Sequence, residues 1–166
     1  KEQMDAFRQH LRWAKKFDLP VTIHNRKAFA ETFEIVSQEM DGKLRGIFHC
    51  FEGTAEEAAK ILALPSFYFG IGGVVTYKKS NLPALLREII PLERIVLETD
   101  CPYLAPVPMR GKRNESSFLP YTAQKVAETY GIPLPLLAET TASNARKLQR
   151  KQESLQHRNF PAQPEY

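Results

Sequence analysis

Four short runs of the chain are apolar with little interruption: Leu19–Asn25 (LPVTIHN), Gly46–Phe51 (GIFHCF), Phe67–Gly73 (FYFGIGG) and Arg94–Asp100 (RIVLETD). Such continuity, as opposed to strict alternation, is the pattern of a strand covered on both faces, as in a parallel sheet. Between the runs the period becomes helical. Phe29, Phe33, Val36 and Met40 share one face, as do Leu82, Leu85, Leu86 and Ile89, and Met4, Phe7, Leu11 and Ala14 form a stripe before the first run. Thr54 and Glu57 stand at the spacing of a capping box, and Ser80 suits a helix N-cap. LPYTAQKVAETYG carries Pro120 early and Gly131 at its stop, and LPLLAETTASNARKLQ predicts one or two further helices.

The predicted order is one helix, four βα units and extra helices. His24, His49, Gly73 and Asp100 close the four runs at intervals of 25, 24 and 27 residues. An α/β fold follows, either a doubly wound sheet or part of a (β/α)8 TIM barrel. A whole barrel needs about 250 residues, so four parallel strands favour a half-barrel. Residues 1–150 form the expected domain; 151–166, polar with scattered proline, are expected to be a disordered tail.

Composition narrows this only a little. The chain has 166 residues, 43% hydrophobic and 25% charged, ordinary values for a globular domain. No apolar run is long enough for a membrane span, and KEQMDAFRQH has no signal-peptide pattern, opening instead inside a helical stripe, as expected of a piece of a longer protein. Cys50 and Cys101 offer no disulfide framework and read as reduced thiols of a cytoplasmic protein. A net charge of +4 permits a polyanionic partner without requiring one.

The chemistry gathers at strand ends. An acidic residue such as Asp100 at the end of a buried strand needs compensation. In parallel α/β folds that edge binds ligands, and two imidazoles (His24, His49) with a carboxylate (Asp100) suit Zn²⁺, Mn²⁺ or a related ion. Each residue alone has a structural reading: a hydrogen-bonded core histidine, an aspartate capping the turn at Pro102. Glu98, on the same strand face as Asp100, either belongs to the site or orients a neighbour. In PYLAPVPMRGKRNESS, Arg110, Lys112 and Arg113 place three positive charges in four residues, suited to a phosphate or simply to solvent. GIGGVVTYKKS lacks the GxxxxGK[ST] of a P-loop.

LPVTIHNRKA, GIFHCFEGT, FYFGIGGVVTYKKS, RIVLETDCPYLAPVPMRGKRNES and TASNARKL, in this order and spacing, resemble the TatD family of metal-dependent hydrolases over residues 1–149. The resemblance implies an amidohydrolase-like (β/α)8 barrel, here its C-terminal portion. It implies divalent metal at the C-terminal mouth, with Mg²⁺ for activity or Zn²⁺ or Mn²⁺, and hydrolysis of phosphodiesters, most often DNA, in a 3′-to-5′ exonuclease manner. His24, His49 and Asp100 match metal ligands, and Asp100 also handles the proton of the attacking water. Arg110, Arg113 and Asn114 fall in or beside the GKRN loop and are the expected substrate contacts. The family's H-x-H motif and bridging glutamate are missing; both are expected before residue 1, His10 and His157 being isolated and misplaced. Ala30 and Glu52 replace an acidic and a small residue. The expected partners are DNA or another phosphodiester, and a missing N-terminal half-barrel or a second copy. The alternatives are cleavage of C–N or lactone bonds, or a binding role without catalysis.

Overall fold

The computed structural model describes residues 2–149, so the expected tail 151–166 lies outside the described residues. All four predicted strands form: β1 (Val21–His24), β2 (Gly46–His49), β3 (Phe67–Ile71) and β4 (Ile95–Leu97). They make one parallel sheet in the order β1-β2-β3-β4. A doubly wound sheet would reverse its order at a switch point. Here each strand lies beside its successor, so the sheet is a run of consecutive barrel units. Ile23, Phe48, Phe67, Phe69, Ile71 and Ile95 are buried on one face. Ile47 and Tyr68 are partly open on the other.

Helices α1 (Glu2–Phe17), α2 (Phe29–Glu39), α3 (Ala55–Leu62), α4 (Leu82–Glu88), α5 (Leu119–Tyr130) and α6 (Leu134–Gln149) supply the cover. Leu11, Ile35, Val36, Ile61, Leu86, Val126 and Leu137 join the strand residues in one core. LPLLAETTASNARKLQ is one helix. Gly131 closes α5 in the left-handed region at φ 67°, where a side chain is strained. Gly73, expected at a strand end, instead opens a 3-10 turn, Gly73–Thr76. Among the described residues no helix is long and apolar enough to cross a membrane.

Thr54 forms the expected capping box, its hydroxyl accepting from Glu57 N at 3.3 Å while Glu57 Oε2 accepts from Thr54 N at 2.9 Å. Thr54→Ala should lower stability by about 1 kcal/mol, read as a fall in the melting midpoint; an unchanged midpoint would mean that water replaces the cap at no cost. Ser80 acts one residue before the helix boundary, its hydroxyl accepting from Leu82 N at 3.3 Å, and Asn81 occupies the N-cap position.

Candidate metal centre at the strand ends

His24 and His49 end β1 and β2 and are register partners across the ladder, so both project from the same face of the sheet. Gly70 pairs with Val96, two residues before Glu98, and Glu98 N continues the ladder to Ile71 O at 3.1 Å. The alternation of strand side chains therefore brings Glu98 to the face of Gly70, over the space its missing side chain leaves. A Cβ on Gly70 would overlap the Glu98 carboxylate.

Glu98 uses both oxygens. Oε2 lies 2.9 Å from His49 Nδ1, and Oε1 accepts the Cys50 N–H at 2.6 Å. That amide is turned toward it by a left-handed Cys50, φ 44°. Asp100, beyond the end of β4, sets Oδ1 3.2 Å from His49 Nε2. The His24 ring centroid stands 6.2 Å from that of His49. Burial pulls the His49 pKa down, but Glu98 and then Asp100 outweigh it, and the net is raised. Burial first, with the charges of Glu98, Asp100 and Glu52, pushes the Cys50 thiol up to about 12, so it keeps its proton near neutrality and is no nucleophile.

The donor set fits a divalent ion. Two ligands on one ion at bond lengths of about 2.0–2.2 Å sit roughly 3–3.5 Å apart, which is the spacing of His49 Nε2 and Asp100 Oδ1. Glu98 on Nδ1 completes a carboxylate–histidine arrangement that fixes the tautomer leaving Nε2 free to ligate. His49, Cys50 and Glu98 also bring a nitrogen, a sulfur and an oxygen within 4.8 Å of one another. Glu98 is committed through both oxygens to His49 and Cys50 N–H, and the candidate ligands that line the cavity are His49, Asp100 and His24.

These three line one cavity of about 820 Å³ with Asn25, Arg26, Lys27, Glu52, Tyr103 and Leu104. Among the described residues four non-glycine residues have left-handed φ, and three of them, Lys27, Cys50 and Leu104, are in this wall. Such conformations cost about 1–3 kcal/mol each and concentrate at functional sites.

The loop residues go elsewhere. Arg110 lies over the Tyr77 ring, 4.2 Å from its centroid, and Arg113 is exposed. Asn114, expected at the substrate, is 2% exposed; its side chain donates to Tyr103 O at 2.6 Å and accepts from Glu115 N at 2.9 Å. None of the three lines the cavity. The cations that do, Arg26 and Lys27, were given no role by sequence reasoning, although Arg26 is the arginine of the IHNR motif, two residues past His24.

Parallel strands in unbroken order, with candidate nitrogen and oxygen ligands at their C-terminal ends, are the arrangement of a barrel-type metal-site protein. The family model described as "TatD related DNase" matches residues 1–150, and the chain belongs to that family. It is 40% identical over 146 residues to an uncharacterized metal-dependent hydrolase, YabD, of Bacillus subtilis, covering 88% of this chain and 57% of that protein. It is 36% identical over 152 residues to a protein named 3′-5′ ssDNA/RNA exonuclease TatD of Cronobacter sakazakii, covering 89% and 57%. The crystal structure of the TatD homologue YJJV from Escherichia coli K12 matches with a TM-score of 0.77 at 25% identity, over 83% of this chain and 52% of that one. A TatD family hydrolase from Entamoeba histolytica matches in fold with a TM-score of 0.76 at 24% identity, over 88% and 56%. The fold is thus the amidohydrolase-like (β/α)8 type, and the chain spans about half the length of the relatives it matches.

Proposed function

We propose that these residues form the metal-binding C-terminal share of a hydrolase of phosphodiester bonds, acting on DNA from its 3′ end. The carrying observation is the 3.2 Å approach of His49 Nε2 and Asp100 Oδ1, in one cavity with Arg26 and Lys27. His24, His49 and Asp100 hold the ion, with Mg²⁺ the expected activator and Zn²⁺ or Mn²⁺ able to replace it. A divalent ion supplies Lewis acidity and makes water a better nucleophile near neutral pH. Asp100 takes the proton of the attacking water. Glu98 holds His49 in place through Nδ1, and Arg26 and Lys27 offset the phosphate charge. The relative named as an exonuclease supports the direction of attack. The free Cys50 and Cys101 fit a reducing, cytoplasmic setting.

β1 and β4 each carry one edge with no partner strand among the described residues, and complementary strands there, from an N-terminal half or a second copy, would supply further ligands. Turnover by the 166 residues alone is therefore expected to be weak. The test titrates Mg²⁺, Mn²⁺ and Zn²⁺ against 3′- and 5′-labelled single-stranded DNA, beside amide and lactone substrates. The expected result is stepwise shortening from the 3′ end, stopped by EDTA and absent in Asp100→Asn. Hydrolysis confined to amides or lactones would move the chain to C–N or lactone chemistry. Oligonucleotide binding without any cleavage, even with complementary strands present, would leave only a binding role.

A further inference from the structure

The loop after β4 contains a fixed backbone bearing a ring that packs against nothing in the core. Tyr103 N donates to Asp100 O at 2.7 Å, and Tyr103 O accepts from the buried Asn114 side chain at 2.6 Å. Asn114 N reaches Pro102 O at 3.0 Å, closing the clamp. Tyr103 is nevertheless 69% exposed, the highest value among the exposed large apolar residues. It lines the cavity that holds His24, His49 and Asp100, three residues from the last of these. An aromatic ring left in water on a pinned backbone loses little conformational freedom when something lies against it.

Arg26 and Lys27 line the same cavity as Tyr103, and further cations lie on its loop and on the turn that loop is tied to. Arg110 stacks on Tyr77, whose hydroxyl donates to Ala105 O at 2.9 Å, so the loop is also tied to the 3-10 turn after β3. Lys78 and Lys79 follow Tyr77 in sequence, and Lys112 and Arg113 complete the exposed cations of the two segments. Aromatic faces interleaved with cations are what single-stranded nucleic acids bind, phosphates on the charges and bases on the rings.

We infer that Tyr103 is a base-stacking residue, receiving the nucleobase next to the phosphodiester held at the metal centre, and that Asn114 is the positioning residue that aims it. The inference rests on the phosphodiester reading and adds a preference for a base over a bare sugar-phosphate chain. Stacking on every base alike, it confers no sequence preference.

The test is fluorescence anisotropy of the full chain with labelled (dT)10 and with an abasic ten-mer of the same backbone, in EDTA so that nothing is cleaved. The wild type should bind (dT)10 about tenfold or more tightly than the abasic strand. Tyr103→Ala should remove that difference by weakening (dT)10 alone, and Tyr103→Phe should keep it. Because the ring is exposed, Tyr103→Ala should melt like the wild type, and Asn114→Ala should weaken (dT)10 while lowering the melting point as well. Equal binding of the two strands by the wild type, or equal loss on both in Tyr103→Ala, overturns the stacking role and leaves the phosphodiester reading standing. Binding of neither strand in EDTA overturns the stacking role and leaves the phosphodiester reading to the metal-dependent cleavage assay.

Discussion

Replacing Arg94 by methionine is expected to remove about 3–4 kcal/mol of folding stability and lower the melting midpoint by roughly 6–15 °C. Its guanidinium donates to Phe67 O through Nε at 3.0 Å and Nη2 at 2.7 Å. It also reaches Leu64 O at 2.6 Å, Leu62 O at 3.2 Å and Ile61 O at 3.3 Å. Ile61 and Leu62 belong to the last turn of α3, whose carbonyls have no partner within the helix and form the negative end of its dipole. One cation thus closes the end of a helix, the turn beyond it and the start of β3. Burial lowers the Arg94 pKa, but a guanidinium stays charged throughout the accessible pH range. Methionine matches the stem but takes the guanidinium from four carbonyls; Ile61 O and Leu64 O keep the Leu64 and Phe67 N–H groups at 3.0 and 3.1 Å, while Leu62 O and Phe67 O lose the side-chain donor. Lysine keeps the charge but not the fork, and about half the loss should remain. Domains of this size have only about 5–15 kcal/mol in total. Arg94 immediately precedes β4, at the end of the sheet opposite the metal centre, where barrels keep their stability determinants and not their catalysts. Metal affinity of the folded variant should therefore equal that of the wild type. A melting midpoint within 2 °C of the wild type would show that water substitutes for the arginine.

The placement of the strands was legible because burial on both faces writes itself as an unbroken apolar run. Their lengths were less so. The predicted Arg94–Asp100 shrinks to Ile95–Leu97; Glu98 N still bonds Ile71 O at 3.1 Å, and Asp100 lies beyond the end of the strand. His24 and His49 were legible as strand-end residues, and the structure sets them with Asp100 around one cavity. Pattern reading cannot see polar contacts between segments far apart in sequence. Arg94 finds its carbonyls 27–33 residues away, and Arg45 reaches both Asp18 and Leu148 O. Asn144, within the quoted TASNARKL, donates to Leu92 O and Ile95 O and fastens α6 beneath β4. The three arginines of the helix–strand junctions and loop look alike in sequence. Only their surroundings separate Arg94 and Arg45, which hold the fold, from Arg26, which faces the cavity.

Gly70 and Glu98 make the second large expected effect: Gly70→Ala and Glu98→Gln should each weaken Mn²⁺ or Zn²⁺ binding about 10- to 100-fold. The two act by different routes on one imidazole. Glutamine keeps the size of Glu98 and an oxygen for Cys50 N–H, but it offers His49 Nδ1 an amide donor in place of a carboxylate. Nδ1 then accepts, the proton moves to Nε2, and the nitrogen beside Asp100 can no longer ligate. Alanine at Gly70 changes no charge. Its methyl group occupies the space of the Glu98 carboxylate, so the carboxylate must leave His49 and Cys50 N–H together. Since both changes break the same contact, Gly70→Ala/Glu98→Gln should bind no more weakly than the worse single variant, a departure from additivity that a double-mutant cycle measures. Glu98→Asp, one methylene shorter, should relieve the crowding and recover part of the affinity when combined with Gly70→Ala. Calorimetric titration of the wild type and these variants at one pH, with thermal melts confirming that each is folded, decides the matter. If Gly70→Ala binds the ion as the wild type does while Glu98→Gln does not, the carboxylate has room to move aside, and close packing against the glycine is not what aims His49.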